Sequence, residues 1–169
     1  IRGTPILIQL FLMFYGLPFI VGLFGINITR MDAFYFVIFT YTLSNAAAFA
    51  EIFRAAIQSV DYGQTEAAQS IGMTNWQTFK RIVLPQSIRI ALPNIASTSV
   101  SSLKDTSLAF SIGVMDMMGR GDTLITATMK VIEVYIGLAI IYYVVVLVLE
   151  YGFKWLERYS NRHIKVPQS

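Results

Sequence analysis

Lys104 and Asp105 stand side by side in a stretch, Ile90 to Met115, that carries no other charge. A charge at mid-bilayer costs about 2.5–3.5 kcal/mol on insertion scales, so such a pair is normally matched by partners or turned toward a polar cavity. Adjacent residues on a helix point roughly 100° apart and cannot face each other squarely, so each must find its own partner. Ser97, Thr98, Ser99, Ser101, Ser102, Thr106 and Ser107 make the surrounding segment unusually polar. Two readings stand. In one, Ser101, Lys104, Asp105 and Ser107 line a pathway whose cation and anion meet the carboxylate and ammonium of a zwitterion. In the other, the charges sit at the water interface or between helices and hold two chains together.

Other residues carry weaker signals. Asn94, following Pro93, either marks a break that exposes backbone groups to a cavity or lies beside a simple proline kink. Glu133, close to Tyr135 at the start of the last apolar run, could reach a ligand or an external protein, or cap that run at the interface. Glu51 and Arg54, three apart, form a local ion pair in one reading and a gate contact in the other. His163 lies in a basic tail and reads as solvated. Gly119-Arg120-Gly121-Asp122 fits the Gly-x-Gly-Asp pattern of intramembrane aspartyl proteases, in which two facing carboxylates share a proton and activate water. Asp122 is expected in a charged external loop, and no second Asp occupies an apolar span beside the tyrosine that pattern needs. The embedded Arg-Gly-Asp and the sequon Asn27-Ile28-Thr29 are short enough to arise by chance. No phosphate-binding Gly-rich loop, zinc signature or serine nucleophile elbow is present, so no metal and no nucleotide site is expected on this chain.

These residues are spread over apolar segments. Apolar residues make up 55% of the 169 and charged residues 14%, against roughly 25% charged in soluble domains, which leaves the chain short of soluble surface. Spans are expected near 5–26, 33–57, 88–115 and 133–156, each able to supply the ~20 apolar residues of a bilayer crossing. The second runs on past Glu51 and Arg54 toward Ser59, and the third is the least regular. The fourth leaves the membrane as an amphipathic extension holding Glu150, Lys154, Trp155, Glu157 and Arg158. Cysteine is absent, which excludes disulfides and thiolate metal sites.

Between the second and third spans lies a polar loop, 60–85. Asp61 is an N-cap for a first helix over Gln64–Ile71, and Gly72 supplies the left-handed residue that ends it. Thr74 and Gln77 have capping-box spacing for a second helix, with Trp76, Phe79, Ile82 and Val83 on one face and Gln77, Lys80 and Arg81 on the other. Pro85 either closes that helix or opens the next. Ala67 and Ala68 carry so little bulk that another protein could approach the backbone there, with Glu66 as a fixed charge at the rim. The bland alternative is an amphipathic loop at the membrane interface.

Glu66-Ala67-Ala68, Gly72, Ile82 and Leu84-Pro85 match, at every fixed position and with full spacing, the EAA loop that this segment resembles in permeases of ATP-binding-cassette importers. Arg2-Gly3-Thr4-Pro5, Glu51-Ile52-Phe53-Arg54, Gly63-Gln64, Lys104-Asp105-Thr106-Ser107-Leu108 and Glu133-Val134-Tyr135 resemble blocks of the polar amino acid permease subfamily. The resemblance implies an all-α, polytopic transmembrane bundle of the type I importer class, forming a single permease domain. It implies a role in moving a polar amino acid across the plasma membrane, and a Glu66–Pro85 loop that docks on cytoplasmic ATPase subunits. Those subunits would carry the ATP and magnesium, leaving this chain without a cofactor or an enzymatic activity of its own. The other implied partners are a second permease subunit, identical or similar, an extracytoplasmic amino-acid-binding protein and membrane lipid. Family members usually have one more spanning helix before the Arg-Gly-Thr-Pro block, so an N-terminal span is expected to be missing. An intramembrane protease or an ATPase-independent channel are the alternatives.

Basic residues argue the orientation independently. With the Glu66 loop and the C-terminus in the cytoplasm, that side holds Arg2, Arg54, Lys80, Arg81, Arg89, Lys154, Arg158, Arg162 and Lys165, and the other only Arg30, Arg120 and Lys130. This satisfies the positive-inside rule, and the net charge of +3 then needs no nucleic acid to explain it.

Overall fold

The computed structural model describes residues 3–161. Arg2, Arg162, His163 and Lys165 therefore lie outside the described residues. Within them the chain is helical: α1 (Ile6–Phe11), a π turn (Leu12–Gly16), α2 (Leu17–Gly22), α3 (Ala33–Gln58), α4 (Tyr62–Ser70) and α5 (Asn75–Thr78) come first. A second π turn (Phe79–Val83), α6 (Leu84–Asp105), a 3₁₀ helix (Thr106–Ile112), α7 (Met117–Thr128) and α8 (Val131–Asn161) complete it. The all-α expectation holds, with no strand among the described residues. Helices α3 and α8 are long and apolar enough to cross a membrane, and the run Ile6–Gly22 is apolar but shorter. At 1.5 Å per residue α8 is about 46 Å long, more than the ~30 Å of hydrocarbon, and its far end carries the stacked rings of Trp155 and Tyr159.

The prolines do not break the chain as their types suggest. Pro85 does not close a helix but falls in the first turn of α6, the second of its two readings, although no gap precedes it: Asn75 to Asp105 is one continuous helical run with a π turn immediately before Leu84-Pro85. A proline cannot donate to the carbonyl four residues back and clashes with it. Widening the preceding turn is one way to relieve that clash. Leu12–Gly16 does the same just before Leu17-Pro18. Pro93 sits inside α6, which continues through it, and Asn94 after it is exposed.

The fold divides into two compact units, one of residues up to Ala48 with Ser101–Val146, the other of Phe49–Val100 with the chain from Leu147 onward. In the first, Leu10, Phe36, Thr40, Ala109, Ile112 and Leu138 are buried. Phe36 meets Phe14 edge-on at 5.5 Å, and Thr40 gives its hydroxyl to the Phe36 carbonyl at 2.7 Å. The second unit buries small side chains, Ala56, Ala68, Thr78, Ser87 and Ala91, along with Val100. Small residues let helix backbones approach closely, the packing mode available where lipid removes the hydrophobic driving force. On α8 the apolar residues Ile132, Ile136, Ile140, Val144 and Val148 recur every four residues and are exposed, the surface of a helix that meets lipid.

Gly119-Arg120-Gly121-Asp122 is helical where a loop was expected. It forms the first turns of α7, whose N-cap Asp116 accepts from the Gly119 amide at 2.9 Å. Both glycines are buried, and a Cβ at Gly119 would meet Phe110 Cδ2 at 2.8 Å, one at Gly121 the Leu138 Cδ1 at 2.5 Å. Two residues apart on a helix, they open opposite sides of α7 to Phe110 and Leu138, so the tetrapeptide is accounted for by close packing. Gly121→Val should lower stability by about 1–3 kcal/mol through overpacking, read as a drop in the detergent melting temperature. Adding Leu138→Ala should recover much of the loss, and an unchanged melting temperature for Gly121→Val would contradict the contact.

Candidate functional site

The polar loop is built from its caps. Asp61 accepts from the Gly63 amide at 2.8 Å and starts α4, which runs over Tyr62–Ser70 where Gln64–Ile71 was expected. At the other end Gly72 has φ +85°. The Gly72 amide donates to Gln69 O at 2.9 Å and the Met73 amide to Ala68 O at 3.1 Å, the paired bonds of a Schellman ending. Thr74 and Gln77 make the capping box, with Thr74 N to Gln77 Oε1 at 2.9 Å and Gln77 N to Thr74 Oγ1 at 3.3 Å. Gln69 Nε2 donates to Asn75 Oδ1 at 2.9 Å and ties α4 to α5 across the turn. The loop is a folded element with its helix ends satisfied from within.

Its two alanines do different things. Glu66 and Ala67 are exposed, whereas Ala68 is 2% exposed and belongs to the interior of the second unit. Small size at Ala68 thus serves packing of the loop onto its own chain, and only Ala67 offers backbone to a visitor. Trp76 also departs from the amphipathic reading: it is 69% exposed and stacks on Phe79 at 6.1 Å, while Phe79, Ile82 and Val83 are half-buried. Tyr62 and Ile71 are 71% and 80% exposed. An exposed apolar rim of Tyr62, Ile71 and Trp76 therefore occurs on the same two-helix element as Glu66 and Ala67. Leu84 is half-buried and Pro85 exposed. Glu51 and Arg54 form their expected ion pair, and Arg54 Nη1 also donates to Gln58 Oε1 at 3.3 Å.

The Lys104–Asp105 pair closes α6, where the helix tightens into the 3₁₀ segment. Lys104 is exposed and Asp105 half-buried. Tyr41 on α3 donates its hydroxyl to the Asp105 main-chain oxygen at 2.5 Å, and Ser102 Oγ donates to Asn45 Oδ1 at 2.5 Å. Ser107 Oγ donates to Lys104 O at 2.7 Å. Asp105 and Asp116 both lie within electrostatic range of the Tyr41 phenol, and Tyr142 has Asp116 and Ser107 as polar neighbours. One Asp116 oxygen caps α7, and the other, Oδ2, is buried without a hydrogen-bond partner among the described residues.

Asp105 and Ser107 are thus brought into one polar cluster of the first unit, with Lys104 and Ser101 exposed beside them on the same helix end. Glu133 is exposed in the first turn of α8, and Asn94 belongs to the second unit. Sequence reasoning missed Tyr41, Asn45, Asp116 and Tyr142. A tyrosine and an asparagine four apart in an apolar span were the available signal.

Residues 1–162 match the model of a family described as binding-protein-dependent transport system inner membrane component. The chain is 56% identical to the L-cystine transport system permease protein TcyL of Bacillus subtilis over 168 residues, covering 99% of this chain and 69% of that protein. It is 33% identical to the glutamine transport system permease protein GlnP of Escherichia coli, covering 94% and 70%. A solved structure described as an amino acid ABC transporter with histidines is similar at a TM-score of 0.81 and 36% identity, covering 93% of this chain and 70% of that one.

The ending of α4 can be tested directly. A β-branched side chain at a left-handed position costs roughly 1–2 kcal/mol, so Gly72→Val should fray the α4–α5 turn and speed amide exchange across residues 69–75. Exchange as slow as in the parent would show that Gly72 is dispensable for the turn.

Proposed function

The chain belongs to the family of binding-protein-dependent transport system inner membrane components and is a transmembrane permease, and from that premise we propose that it carries a polar amino acid inward, driven by ATPase subunits that grip its Glu66–Pro85 element. The observation that carries this reading is the loop itself. It is doubly capped, tied across its turn and exposes Glu66 and Ala67 with an apolar rim. Exposed apolar side chains on a folded polar element are what a protein partner covers.

An extracytoplasmic binding protein delivers the cargo, and two ATPase subunits close on ATP and push α4 and α5. Chain connectivity sends that motion into α3 and α6, because the loop joins them directly, and the pathway switches from inward- to outward-facing. ATP and magnesium stay on the ATPase subunits, and this chain does no hydrolysis. A second permease, identical or similar, completes the pathway. Asp105, which like Asp116 lies within electrostatic range of Tyr41, offers an acceptor for the cargo ammonium, while Lys104 answers its carboxylate and Ser101 and Ser107 supply hydroxyls. Asn94 and Glu133 are further lining candidates on α6 and α8. The relatives named for cystine and glutamine support an amino acid as cargo. The excess of basic residues supports a cytoplasmic loop and C-terminus.

Two experiments test this reading. Ala67→Trp and Glu66→Lys should insert normally yet cut ATP-dependent uptake into proteoliposomes about tenfold or more, since blocking close docking removes the coupling. A cysteine at Ala67, not at buried Ala68, should crosslink to the ATPase docking groove. Wild-type uptake by both variants would remove the loop from coupling. For orientation, the cysteine-free chain gives a clean background. A cysteine at Thr123, exposed on α7, should react with an impermeant thiol reagent from outside, and one at Gln77 only after the membrane is opened. The reverse accessibility would invert the topology.

A further inference from the structure

Where α6 tightens into the 3₁₀ helix, three consecutive carbonyls accept hydroxyl protons. Leu103 O takes the Thr106 hydroxyl at 2.6 Å, Lys104 O the Ser107 hydroxyl at 2.7 Å, and Asp105 O the Tyr41 hydroxyl at 2.5 Å. The first two donors are local and travel with the backbone they cap, so they cannot set its direction against anything else. The third comes from another helix. One turn away on that helix, Asn45 receives the Ser102 hydroxyl at 2.5 Å. Tyr41 and Asn45 are four apart on α3, and Ser102 and Asp105 three apart on α6, so each pair lies on one helix face. Two bonds fix both the rotation of the α6 end and the tilt of its junction, which a single bond could not do.

We propose that Tyr41 and Asn45 are positioning residues for cargo recognition, a two-point clamp that fixes the direction in which Lys104 and Asp105 present their charges to a zwitterionic amino acid. This rests on the reading that Asp105 lines the pathway. The bond is made to the Asp105 main chain and so does not use the carboxylate. Losing the clamp therefore misdirects the charges without removing them.

The test uses the complete complex in proteoliposomes, with its ATPase and binding protein, and labelled L-cystine and L-glutamine as probes. Tyr41→Phe keeps the ring and removes only the hydroxyl. It should speed amide exchange in residues 103–112 about tenfold, as loss of one hydrogen bond implies, and lower uptake several-fold with ATPase co-purification unchanged. Asn45→Ala should do the same more weakly, and Tyr143→Phe, at an exposed site on α8, should match the parent. Because Tyr41 acts through Lys104 and Asp105, Tyr41→Phe should cost less uptake in an Asp105→Asn background than in the parent. Unchanged exchange in Tyr41→Phe overturns the clamp. Faster exchange with parental uptake, while Asp105→Asn transports poorly, leaves the pathway intact but reduces the clamp to a structural tie and overturns the proposal. Parental uptake by Asp105→Asn sinks the pathway reading, and the proposal with it.

Discussion

A backbone amide or carbonyl left unpaired in hydrocarbon costs several kcal/mol, and the interruptions of this chain's helices are organised around avoiding that cost. Pro18 and Pro85 each remove a donor, and each is preceded by a π turn that widens the helix instead of ending it. At the tightening by Asp105 three consecutive carbonyls each accept a side-chain hydroxyl. Thr40, Thr78, Ser87 and Ser99 likewise turn their hydroxyls onto carbonyls of the preceding turn. Side-chain hydroxyls that read in sequence as polarity thus satisfy themselves on the main chain.

Polarity on α6 is then of two kinds. Ser99, Thr106 and Ser107 direct their hydroxyls to their own helix, and Ser102 reaches across to α3. Neither use excludes contact with cargo, since a hydroxyl that donates can still accept. Lys104 and Asp105 differ, because among the described residues no hydrogen bond or ion pair engages their charged ends. The stretch from Ile90 to Met115 is therefore a hydrogen-bonded scaffold on which Lys104 and Asp105 are the only charges.

Local signals were the legible ones. Asp61, Gly72 and the Thr74–Gln77 box act within three residues of themselves, so their types and spacing suffice to mark the loop helices. The continuation of α3 to Gln58 was also readable, because nothing in it interrupts helical geometry. What failed depended on neighbours distant in the chain. Gly119 and Gly121 looked like loop residues and are small because Phe110 and Leu138 press on α7. Ala67 and Ala68 are indistinguishable by type, and only packing decides which is exposed. Tyr41 and Asn45 meet partners 64 and 57 residues away, a pairing that no local pattern announces.

The π turn at Phe79–Val83 has a consequence for how the loop and α6 are phased. A π turn accommodates about one residue more than an α turn, and each residue on a helix is worth roughly 100° of rotation. Removing one residue there would let an unbroken α-helix form, but Trp76 and the loop surface would swing by about that angle against α6. The exposed face of the loop and the faces of α6 are thus registered by a single extra residue. Chains that shorten or lengthen this stretch by one would have to move their contact residues by one position to keep the same face.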